Sequence, residues 1–152
     1  MNQIVHRDHT KEIIFSIRRL LQARELYTKE LNRNYQVSAS QLNCLLALFE
    51  NGPLPPSQIA KHMMVKSSTV TGVVDRLENK GFVTRERNSP DRRVINIQLT
   101  ETGKNLAENA PPPIQQKIID GLKKLSEVEI EQIVDALNSL ANMLDVQDLE
   151  VD

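Results

Sequence analysis

Apolar residues recur along this chain at two spacings, and the changes between them mark its elements. From about Asp8 to Tyr35, Ile13, Ile17, Leu20, Tyr27, Leu31 and Tyr35 follow helical steps with a lapse at Arg24, which predicts one long amphipathic helix. Gln36-Val37 break the pattern. Ser38-Ala39-Ser40-Gln41 then matches a capping box, in which a serine hydroxyl and a glutamine side chain satisfy reciprocal backbone N–H groups, so a second helix is expected to run to about Glu50. Asn51-Gly52-Pro53 ends it, and Pro56 suits the first turn of the next. That short helix should span Ser57 to Met63, with a break near Val65-Lys66. Val70, Val73, Val74 and Leu77 then share one face of a further helix, which Gly81 stops.

After Gly81 the period becomes two. FVTRER and VINIQL flank Asn88-Ser89-Pro90-Asp91-Arg92-Arg93, whose composition is that of a turn, so a two-stranded hairpin is predicted. Thr100 to about Ala110 reads as helix. Pro111-Pro112-Pro113 must interrupt it, since each proline removes a donor and pushes the preceding residue out of helical geometry, and a helix can resume at Ile114. The last helix opens on a capping box of Ser126 and Glu129, with Leu125 placed to staple onto Ile130; Ile130, Ile133, Val134, Leu137, Leu140 and Leu144 form its stripe. The fold class expected is mainly α with a small β-hairpin.

Charge changes this picture more than composition does. The 152 residues carry a net charge of −1, but residues 1–37 and 38–100 are each +3 while residues 101–152 are −7. Such a chain does not bind nucleic acid by bulk charge, yet it permits a basic face on an acidic body. Aromatics are 3% with no tryptophan, so a stacking platform for single strands is poorly supported. With no apolar run long enough for a signal peptide or a membrane span, a soluble cytoplasmic protein without membrane association is expected.

A short helix, a tight break, a second helix and a hairpin with basic residues at its tip follow the order of a winged helix-turn-helix. Because the valine and leucine face of the second helix must pack inward, its other face presents Ser67, Ser68, Thr69, Thr71, Gly72 and Arg76. Small hydroxyl side chains let a helix enter the major groove and bond base edges or phosphates. Alone, such a face is also that of any solvated surface helix; its neighbours in sequence favour DNA. At the hairpin tip Asp91, Arg92 and Arg93 suit the minor groove, where a carboxylate can orient a projecting arginine, although alone they equally suit a solvated turn.

The segment QIAKHMMVKSSTVTGVVDRLENKGFVTRERNSPDRRVINIQLTETG closely resembles the core of the MarR (multiple antibiotic resistance regulator) family, with SSTVT, VVDRLENKGFV, DRR and LTETG in that order. The resemblance implies a homodimer in which a helical region of residues 1–37 and 104–152 joins two subunits, each carrying a winged helix-turn-helix over residues 38–103. It implies a recognition helix bearing Ser67 to Arg76. It also implies a wing in which Asp91 and Arg93 form the minor-groove pair, Arg92 falling between them within reach of phosphate. The partners implied are double-stranded DNA, a second copy and a small-molecule effector that releases a repressor from a pseudo-palindromic operator. The chain departs from the family at Gly72, where members often carry a large polar or basic residue. The competing class is a winged-helix module that binds a partner protein.

Other candidate chemistry is sparse. Cys44 lies among Leu42, Leu45 and Leu46 and reads as a small buried residue rather than a redox sensor. His6 and His9 sit in a leader that looks unstructured, and His62 is isolated, so no metal site is expected. Without a nucleophile beside a base or a phosphate-cradling glycine loop, neither an enzyme nor a cofactor is expected.

Overall fold

The computed structural model describes residues 2–87, 90–91 and 93–150, with side chains from residue 9 onward, in two compact units, residues 1–39 and 40–152. The first unit is one helix, α1 (Asn2–Asn34). It begins at Asn2 rather than Asp8, so the expected unstructured leader is helical, and His6 and His9 both lie on α1. Residues 2–7 contain neither proline nor glycine, and an existing helix extends through such residues at little cost. Tyr27 and Leu31 are buried, whereas Ile13, Ile14, Phe15, Leu20, Leu21 and Leu26 are exposed.

The second unit contains the remaining elements: α2 (Ala39–Asn51), α3 (Pro56–Met63), α4 (Ser67–Asn79), β1 (Val83–Glu86), β2 (Asn96–Leu99), α5 (Glu101–Asn109), α6 (Ile114–Leu122) and α7 (Glu127–Met143). Its core gathers Cys44, Leu45 and Leu48 of α2, Ile59 of α3, Val70, Val74 and Leu77 of α4, and Val83 and Ile97 of the hairpin. Leu45, Ile59, Val70, Leu77 and Ile97 are wholly inaccessible, and burying an aliphatic side chain of this size contributes roughly 1.5–3 kcal/mol. Antiparallel pairing runs from Val83 opposite Leu99 to Glu86 opposite Asn96. Leu54 adds a single bridge that the hydrophobic pattern does not signal: its N–H donates to Ile97 at 3.1 Å and its carbonyl accepts from Ile97 N–H at 2.8 Å. One bridged residue is too short for alternation to register.

Two tight turns set the direction of α4. Before it, Met64 adopts a left-handed conformation (φ 56°, ψ 44°), Met64 N–H donates to the Lys61 carbonyl and Val65 N–H to that of Ala60, closing α3. After it, Gly81 takes φ +79°, with Gly81 N–H donating to Glu78 O and Phe82 N–H to Leu77 O, both at 3.0 Å. That paired arrangement is a Schellman motif, and it turns the chain directly into β1.

A second junction joins β2 to α5. Thr100 caps α5 by accepting from Gly103 N–H at 3.1 Å, and its hydroxyl donates to the Gly81 carbonyl at 2.7 Å. Thr100 N–H donates to Phe82 O at 3.0 Å. A Cβ on Gly103 would stand 2.0 Å from that same Phe82 oxygen, so only glycine allows the two backbones to meet. The GFV and LTETG motifs are thereby two halves of one backbone junction.

The proline run separates α5 from α6. The expected capping box opens α7, with Ser126 accepting from Glu129 N–H and Glu129 accepting from Ser126 N–H, each at 3.3 Å. The helix ends at Met143, which leaves Leu144 at its C-cap. Neither α6 nor α7 contains a buried residue. Val134 and Leu137, in the middle of the α7 stripe, are 49% and 54% exposed.

Candidate nucleic-acid interface

The face of α4 opposite Val70, Val73, Val74 and Leu77 is open. Ser67, Ser68, Thr71, Gly72 and Arg76 are exposed on it, and Thr69 is half-buried at its edge. Gly72 has nothing within 4 Å of where a Cβ would stand, so the helix surface there is open. Lys66, at the N-cap, supplies no side-chain acceptor to the first turn, although its carbonyl accepts from Thr69 N–H at 3.1 Å. Such a helix start favours an anion.

Further along, Asp75 and Glu78 would repel phosphate if left alone. Arg85 of β1 reaches both carboxylates: its Nη2 bonds Asp75, and its Nη1 donates to Glu78 Oε1 at 2.6 Å. The Asp75 bond, ahead of the other contacts, raises the guanidinium pKa above its ordinary value. This clamp ties the hairpin to α4 and offsets one of the two negative charges on the helix. Sequence reasoning missed it, because Arg85 lies in a strand segment whose signal was only its alternation.

At the hairpin tip, Asp91 and Arg93 are both exposed. Asp91 Oδ1 accepts from the Arg93 backbone N–H at 3.0 Å, and Val94 N–H donates to the Asp91 carbonyl at 3.0 Å. Asp91 thus shapes the turn from which Arg93 projects, as short polar side chains do when they bond a backbone group two residues on. Arg92 lies outside the described residues.

The remaining candidates separate cleanly. Cys44 is buried, and burial pushes its thiol up to about 12, so thiolate is scarce at neutral pH. His9 stands 3.9 Å from Glu12 on exposed α1. His62 lines a cleft of about 250 Å³ together with Asn43, Glu50, Pro112 and Gln116. Among the described residues no helix is long and apolar enough to cross a membrane.

A helix-turn-helix followed by a two-stranded hairpin, with the second helix offering a polar face and the hairpin an arginine, defines a winged-helix protein. The MarR family model matches residues 37–95. The organic hydroperoxide resistance transcriptional regulator of Bacillus subtilis is 32% identical over 124 residues, covering 77% of this chain and 83% of the relative. The transcriptional repressor MdtR of the same organism is 39% identical over 92 residues, or 60% of this chain and 59% of the repressor. Among solved structures, the S. aureus MepR–DNA complex aligns with a TM-score of 0.59 at 25% identity, covering 86% of this chain and 96% of the other. The chain belongs to the MarR family of winged-helix transcription regulators.

Proposed function

We propose that this chain acts as a homodimeric repressor that binds a pseudo-palindromic site in double-stranded DNA and is released by a small-molecule effector. The observation that carries the reading is α4, whose apolar face is wholly engaged in the core while Ser67, Ser68, Thr71 and Arg76 are exposed on the other side. That face enters the major groove, Thr69 at its edge reaching the backbone, while Arg93 enters the minor groove from a turn held by Asp91. Arg92 contacts phosphate beside it. Gly72 reads no base; it lets the helix approach closely and leaves specificity to its neighbours.

Residues 1–37 and 104–152 form the dimerisation region, and residues 38–103 the DNA-binding domain. Support comes from α7, a 17-residue helix with no buried side chain, and from the opposite net charges of the two segments, +3 for residues 1–37 and −6 for residues 104–152. A second copy covers the exposed stripes and sets two α4 helices about one DNA turn apart, roughly 34 Å. An effector seated in the cleft between α2, α3 and the start of α6 alters that spacing. The protein works in the cytoplasm, has no catalytic role and needs no cofactor.

The test is the salt dependence of duplex binding. Each phosphate contact releases counterions, so affinity falls steeply as salt rises, with a slope near 0.9 per contact. Arg93→Ala should weaken binding chiefly to sites with A·T-rich flanks. Equal binding by the variant across such sites removes the wing role, and salt-insensitive binding to protein alone favours an interaction module.

A further inference from the structure

Beyond α7 the chain does not trail away. Asp145 takes a left-handed conformation (φ 56°), Asp145 N–H donates to the Asn142 carbonyl at 3.2 Å, and Val146 N–H donates to that of Ala141 at 3.0 Å. This turn closes α7, and Leu149 N–H then donates to Val146 O at 3.1 Å. The folded segment carries Asp145, Asp148 and Glu150 but no basic residue. Its Glu150 carboxylate meets Lys66 Nζ, 84 positions away in sequence.

Lys66 is the residue immediately before α4. A cation there lies beside the phosphate backbone when α4 enters the groove, which is the place where lysine acts on DNA as a point charge. A carboxylate on that ammonium occupies the position of a phosphate oxygen. Duplex DNA can take Lys66 only if Glu150 leaves it, and the further negative charge of Asp145 and Asp148 then repels the approaching strand.

We infer that the acidic segment of residues 145–150 is an intrachain competitor for DNA, lowering affinity by holding Lys66 through Glu150. The inference rests on α4 being the DNA-reading helix. Because the pair is solvent-exposed, with Lys66 at 44% and Glu150 at 75%, its effect is a modest adjustment of affinity rather than a block.

The experiment measures binding of the full chain to a duplex selected by the wild-type protein from a random-sequence pool. Glu150→Gln should tighten binding roughly two- to fivefold, the range expected for loss of one exposed ion pair. In a Lys66→Gln background the same substitution should change nothing. Unchanged affinity in Glu150→Gln overturns the inference, as does equal tightening with and without Lys66, which would mark a general effect of charge. Should the wild-type chain retain no duplex from the pool, the DNA-binding reading falls and the competition with it. Duplex retention without a Lys66-dependent effect removes the competition alone.

Discussion

The winged core and α7 are written in the same aliphatic alphabet at the same helical spacing, yet one stripe is buried and the other is not. Val70, Val74 and Leu77 on α4 are at most 1% exposed, whereas Val134 and Leu137 on α7 are 49% and 54% exposed. The difference lies in what surrounds each helix. A short helix between two turns is closed on by α2, α3 and the hairpin, while a capped helix after a proline run has no such enclosure within unit 2. A well-specified helix can therefore be stable in outline and incomplete in packing, and its exposed stripe is an apolar surface that suits the homodimer proposed above.

Substitutions can separate these two kinds of stripe. The largest effect is expected from Leu77→Ala, which empties a fully buried site and should cost about 2–5 kcal/mol in denaturant unfolding, independent of protein concentration. Leu137→Glu should leave the folded core nearly unchanged by near-ultraviolet circular dichroism but dissociate the dimer in sedimentation velocity, since a carboxylate cannot be buried unpaired at an apolar interface. A variant as dimeric as the wild type would show that α7 is not covered by a second copy. Gly103→Ala should destabilise by roughly 1–3 kcal/mol, because the new Cβ can be placed only by moving the Phe82 backbone. Met64→Gly should stabilise slightly, by about 0.5–1 kcal/mol in the same unfolding assay, because it relieves a side chain held in left-handed geometry.

Most of the core was legible from periodicity and punctuation. Val70 to Leu77, Gly81 and the alternating FVTRER and VINIQL segments led directly to α4, its stop and the hairpin, and Ser126 with Glu129 marked the start of α7. What sequence could not show were relations between distant segments with no local pattern. Leu54 pairs with Ile97 through one residue, Arg85 reaches back to Asp75 and Glu78, and Gly103 is glycine because of a carbonyl at Phe82. A glycine within the first turn of α5, where helix propensity disfavours it, was the one available hint. The LTETG resemblance drew attention to that position as a family mark; the geometry gives it a structural reason. At the candidate interface, the polar face of α4 was readable because its complement is apolar, whereas the Arg85 clamp on its two carboxylates was not.

The most direct test of the account is a titration of a selected palindromic duplex with the protein at several salt concentrations, followed by analytical ultracentrifugation. It should show two chains per duplex and affinity that falls steeply as salt rises. A single chain per duplex, or binding indifferent to salt, would contradict it.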